Sequence, residues 1–139
     1  MTARRGHTLI ELTIVVTILA VLAVAAVPSY RRAAEQTRVD SCASALRTLW
    51  SAQRAHWLEH RSYAETFDTL ADEGFTDRAS FAGTDSFELR MSGVTETTFL
   101  VTATRLGSVW EGTVTVDETG LLIGATHTDG GDVVVAGSR

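Results

Sequence analysis

The chain has one cysteine, Cys42, and one proline, Pro28. A lone cysteine excludes an intramolecular disulfide. Many exported domains of this size are stapled by disulfides, so this one has to be held by packing. Positive charge is also scarce: 12 basic residues against 17 acidic ones leave a formal charge of -5. The chain as a whole therefore has no attraction for nucleic acid phosphates. No G-x-S-x-G turn and no Gly-rich phosphate loop is present, which removes two common routes to an enzyme. Nothing reads as a disordered tail. Polar side chains are nearly missing from Leu9 to Val27, where only Glu11, Thr13 and Thr17 occur.

What is present is unevenly placed. At 139 residues there is room for one compact domain and one long element. Met1 to Gly6 is short and basic through Arg4 and Arg5 and holds no acid. The apolar run that follows, as a helix, spans roughly 28 Å, about the thickness of a bilayer's hydrocarbon core. The arginines favour a cytoplasmic N-terminus, with the C-terminal part outside.

Three readings compete for this segment. A secretory signal peptide fits the basic start, the apolar middle and Ala23-Val24-Ala25, which has the form of an A-x-A cleavage site. It would release a soluble binding domain after Ala25 or Ala26. A plain signal anchor fits the length. Neither uses Glu11, a carboxylate that costs roughly 2.5 kcal/mol or more near the centre of a bilayer helix and less toward its end. A third reading does. Cleavage after Gly6 would put a new amine on His7, one turn from Glu11. Intramolecular pairing fits that spacing. In a packed bundle a neighbour's amine would serve as well, and one ion pair would then set the stagger of otherwise sliding apolar helices.

Gly6-His7-Thr8-Leu9-Ile10-Glu11-Leu12 resembles the processing site of class III signal peptides, found in type IV pilins and type II secretion pseudopilins. That pattern is a glycine, usually a phenylalanine, then T-L-I-E-L; Thr8 to Leu12 match it and Gly6 precedes them correctly. Pro28 and Tyr30 fall where the family commonly has proline and tyrosine. His7 departs from the usual phenylalanine. The resemblance implies that a prepilin peptidase cleaves after Gly6 and methylates the new N-terminus, and that Glu11 serves filament assembly. It also implies an inner-membrane platform protein, an assembly ATPase and other pilins as partners. The destination is then a pilus filament, or a secretion pseudopilus as the alternative.

Beyond Pro28, which is expected to kink or loosen the helix, Val39, Cys42, Leu46, Leu49/Trp50, Gln53 and Trp57 recur at three- and four-residue intervals. That is one amphipathic face. Arg31 and Glu35 read as an i,i+4 pair on another face. The whole predicts one helix from about Thr8 to about Glu59, apolar in its first half and packed on a sheet in its second.

Ser62 to Gly74 reads as a connector with a helical turn at Glu65–Glu73. Its Tyr63, Leu70 and Gly74 resemble a Y…L…G pattern of many pilins. Strand-like alternation follows at Ser86–Met91, Thr98–Thr104, Val109–Val116 and Leu121–Ala125, with Val133–Ala136 as a fifth candidate. Ser92-Gly93, Leu106-Gly107 and Glu118-Thr119-Gly120 punctuate them. Connections this short cannot make parallel pairs. The fold expected is α+β: a long N-terminal helix followed by an antiparallel meander of about four strands. The divisions expected are a leader at 1–6, a helix at 7–60 with a transmembrane segment at 9–27, and a head at 61–139. Thr102–Arg105 and Asp117–Leu121 also resemble sheet segments of small pilins.

Two constellations suggest metal chemistry. His56-Trp57-Leu58-Glu59-His60 has the H-x-x-E-H form of a zinc protease motif. It sits at the end of an amphipathic helix with no catalytic domain around it, and histidines there suit the helix dipole. His127–Asp132 is a loop in which Asp129 and Asp132 are weak calcium candidates, since it lacks a regular ligand series. Cys42 reads as a small core residue, and Trp50, Trp57 and Trp110 read chiefly as core. The expectation is a structural subunit and not an enzyme, with no metal, no cofactor and no nucleic acid partner. Its filament would bury the apolar helices, with the small residues Ala20, Ala23, Ala25 and Ala26 allowing close packing.

Overall fold

The computed structural model describes residues 8–81, 86–107 and 109–137. Helix α1 runs Leu9–His60, close to the span that the periodicity predicts. The chain divides into two units, one ending at Ala34 and one starting at Glu35.

In the first unit every described side chain from Leu9 to Ala33 is exposed. Its most apolar stretch has a mean hydropathy of 2.7 and is 0% buried, so by length and composition this helix can cross a membrane. Its two threonines are satisfied within the helix. Thr13 Oγ1 donates to the Leu9 carbonyl at 2.8 Å, and Thr17 Oγ1 to the Thr13 carbonyl at 2.8 Å. Pro28 lies inside the helix and, lacking an N–H, leaves the Val24 carbonyl without its usual i+4 donor.

The second unit is built on a stripe of α1. Glu35, Val39, Cys42, Leu46, Leu49, Gln53 and His56 are all buried and repeat at alternating steps of four and three. They face a five-stranded antiparallel sheet in meander order: β1 (Phe87–Ser92), β2 (Leu100–Arg105), β3 (Glu111–Asp117), β4 (Leu122–His127) and β5 (Val133–Val135). The fifth strand is present, and it pairs Val135 with Ala125 and Val133 with His127. Alternation selects the inner face: Val101 and Ala103 from β2 and Val114 and Val116 from β3 are all 0% exposed. Phe87, Phe99, Trp110 and Val134 complete the core with the helix stripe.

Local chemistry ends each element. Arg61, in the left-handed region at φ 60°, stops α1 and donates its N–H to the Trp57 carbonyl. The connector is then clamped by a buried side chain: Gln53 Nε2 donates to the Ala64 carbonyl and the Ala64 N–H donates to Gln53 Oε1, both at 2.9 Å. Thr66 caps the short helix α2 (Phe67–Asp72) by accepting from the Thr69 N–H. A single 3-10 turn, Arg78–Ser80, precedes the sheet. The β3–β4 turn carries Gly120 at φ +80°, and a Cβ there would stand 2.8 Å from Trp50 Cε2. Trp50 also donates its indole N–H to the Glu118 carbonyl at 3.2 Å, pinning that turn to the helix.

Candidate functional site: the start of the N-terminal helix

Thr8 and Glu11 open α1. The Glu11 N–H donates to Thr8 Oγ1 at 3.3 Å, so the hydroxyl satisfies one of the helix's orphan donors. The glutamate sits three residues on, as in a capping box. Its carboxylate therefore lies in the first turn, where the helix dipole favours negative charge. Around it Leu9, Ile10 and Leu12 are 86%, 69% and 62% exposed. Among the described residues no ion pair reaches Glu11. The carboxylate thus stands on a largely apolar helix surface, where burial without a cation would be costly. Gly6 and His7 lie outside the described residues.

The acid expected to pair with Arg31 is placed elsewhere. Glu35 is 0% exposed because it stands one turn before Val39 on the buried stripe. It pairs with Arg105, the last residue of β2, through Nε to Oε1 at 2.8 Å and Nη2 to Oε2 at 2.9 Å. Arg38 adds a longer contact at 3.4 Å. Burial alone would raise the Glu35 carboxyl's pKa. The hydrogen bonds and charge of Arg105, with those of Arg38, outweigh it and hold the group below the usual range. The Arg105 guanidinium also donates to the Ser86 and Leu106 carbonyls and lies over the Phe87 ring. Nothing in the sequence pairs residues 35 and 105. Only the position of Glu35 on the apolar stripe signals that it needs a buried partner.

The other candidates separate. Asp129 and Asp132 are exposed in the β4–β5 turn, whose backbone closes on Thr128: Asp132 donates its N–H to Thr128 Oγ1, and Thr128 donates its N–H to the Asp132 carbonyl at 3.0 Å. In the H-x-x-E-H stretch His56 is buried and Glu59 is exposed. The acid that meets the two histidines is Glu73. Cys42 is buried, and desolvation pushes its thiol up to about 12. Trp110 is core, while Trp50 and Trp57 pack partly buried against it.

Comparison with known proteins agrees with this N-terminal geometry. Residues 1–27 match the prokaryotic N-terminal methylation motif. Two fimbrial proteins of Pseudomonas aeruginosa are each 34% identical over 107 residues, covering 75% of this chain and 70% of theirs. No solved structure matches significantly. A long apolar helix joined to an antiparallel sheet, opened by a methylation motif, defines a fimbrial structural subunit. The chain belongs to the type IV pilin family.

Proposed function

We propose that the chain is the subunit of a type IV pilus filament, made as a membrane precursor and matured by cleavage after Gly6. The first six residues carry Arg4 and Arg5, which hold that end at the cytoplasmic face. A prepilin peptidase removes them and exposes the α-amino group of His7, which it then methylates. Subunits leave the lipid laterally, driven by an assembly ATPase through an inner-membrane platform protein. Their apolar helices then pack against one another with the sheets outward, and Pro28 lets each helix adjust locally in that packing. A neighbour's His7 amine neutralises Glu11 and fixes the axial stagger.

The observation that carries this reading is Glu11 itself: a first-turn carboxylate on a helix whose described side chains from Leu9 to Ala33 are all exposed. Apolar packing holds such helices together without choosing a register, and one charge pair chooses it. The fimbrial character of both relatives favours a pilus over a secretion pseudopilus.

Glu11→Ala and Glu11→Gln test it. Both variants should accumulate in the inner membrane, correctly trimmed, while the sheared filament fraction falls at least about tenfold, the equivalent of a 1.4 kcal/mol loss in assembly. Filaments at normal yield from Glu11→Ala would refute the role.

A further inference from the structure

At the end of α1, His56 and His60 lie one turn apart with their rings stacked at 4.4 Å. Each ring has one nitrogen committed. His56 Nδ1 is 2.7 Å from the Ser62 carbonyl oxygen, and His60 Nδ1 is 3.3 Å from the His56 carbonyl oxygen. A carbonyl oxygen only accepts, so both Nδ1 atoms carry the proton, and a neutral imidazole then presents its lone pair at Nε2. Both Nε2 atoms face one oxygen: Glu73 Oε2 stands 3.3 Å from that of His56 and 3.8 Å from that of His60. Glu73 is the C-cap of α2, anchored by its own N–H on the Thr69 carbonyl and by the Gly74 N–H on the Ala71 carbonyl, both at 3.1 Å. Phe75 meets both rings edge-on, at 5.4 Å and 6.0 Å between centroids, and walls one side. Three ligand atoms thus converge within 4.8 Å of one another. Lone pairs aimed at a common point repel unless a cation lies among them.

We propose that His56, His60 and Glu73 bind a divalent transition metal of the zinc class. Two neutral imidazoles and one carboxylate are a zinc donor set with a fourth position left for water. Calcium and magnesium prefer sites built wholly of oxygen. In tetrahedral zinc, with bonds of about 2.0–2.1 Å, ligand atoms stand roughly 3.3 Å apart. The His56–Glu73 separation of 3.3 Å already has that value. The His60 and Glu73 side chains, 41% and 39% exposed, have room to close the remaining gap. The two Nδ1–H to carbonyl bonds are the outer-shell contacts that fix tautomer and ring direction in metal sites. The metal is a clasp, not a catalyst: Glu59, the acid within the H-x-x-E-H stretch, is not among the converging groups. It ties the last turn of α1 to the end of α2, across the connector that carries the chain toward the sheet.

The test uses the full chain in detergent, stripped with a chelator and titrated with Zn2+ against a chromogenic competitor, with Co2+ as a spectroscopic probe. The site predicts one equivalent bound, the visible absorption of four-coordinate Co2+, and a higher Tm with Zn2+ present. His60→Ala and Glu73→Gln change exposed side chains outside the core. Each should weaken binding at least about tenfold and remove the Co2+ band, while His127→Ala keeps both. Zn2+ binding undiminished in His60→Ala and Glu73→Gln would place the metal elsewhere and overturn the proposal. So would no binding by the intact chain.

Discussion

Replacing Arg105 with methionine should destabilise the sheet-bearing unit far more than losing a surface charge would. The methionine keeps part of the apolar stem and removes the guanidinium. Glu35, 0% exposed, is then left with the 3.4 Å contact to Arg38, whose side chain is 47% exposed. The Ser86 carbonyl loses one of its two donors as well, keeping only the Leu106 N–H at 2.8 Å. Breaking a buried pair from one side costs about 3–5 kcal/mol, because a desolvated charge is stranded. For a unit of about one hundred residues each kcal/mol moves Tm by about 4 °C, so the expected fall is roughly 12–20 °C. All three tryptophans, Trp50, Trp57 and Trp110, lie in this unit, so their fluorescence during heating follows it selectively. The double variant Glu35→Leu/Arg105→Met removes both charges and should recover most of the loss. A single-variant cost below about 1 kcal/mol, the range of exposed pairs, would refute the reasoning. A double variant no better than Arg105→Met would do the same.

Three further outcomes follow from the same packing. Because the folded-state pKa of Glu35 is held below its unfolded value, near 4.3, the pair's contribution is complete above about pH 4.3 and fades as pH falls through the lower folded value. Acid unfolding of Glu35→Gln should therefore show a flatter limb than the parent, and superimposable curves would count against the assignment. Asp117, held low first by the Thr119 hydroxyl, is too exposed to contribute comparably. Gln53→Leu strips both partners from the buried Ala64 backbone and should cost about 2–4 kcal/mol in the tryptophan-monitored melt; a change under about 0.5 kcal/mol would contradict the clamp. Cys42, with its thiol at about 12, should resist alkylation at pH 8 until denaturant is added, and rapid labelling of the native chain would show that the helix stripe is open.

Much of the fold is legible because its signals are local. Three- and four-residue spacing from Val39 onward marks the helix face, and α1 ends at His60, one residue past the expected Glu59. Glycine turns separate the strands, although the edges move. β2 starts at Leu100 rather than Thr98 because Thr95 and Thr98 close a loop on themselves, the Thr95 N–H donating to the Thr98 carbonyl. β3 starts at Glu111, so Trp110 enters the core from outside the strand. The connector's helix shrinks to Phe67–Asp72 because Thr66 caps it. What local rules miss are the long-range polar pairs. The i,i+4 rule joins Arg31 to Glu35 as if both faced solvent, but Glu35 stands four residues before Val39 on the buried face and takes a partner 70 residues away. In the same way, spacing finds His56 and His60 but not Glu73, whose place depends on how α2 folds back. At the assembly end the order reverses: Glu11 stands out in the sequence because the stretch around it has almost nothing else polar to explain.

The most direct test of the filament-subunit account is the N-terminal mass of the protein extracted from membranes, with and without an active prepilin peptidase. The account predicts a chain beginning at His7, one methyl group heavier where the new amine is modified, and the full precursor from Met1 when the peptidase is absent. A chain beginning at Ala26 or Val27 in both cases would contradict it, since that product is a released soluble domain without Glu11 and without a helix to assemble through.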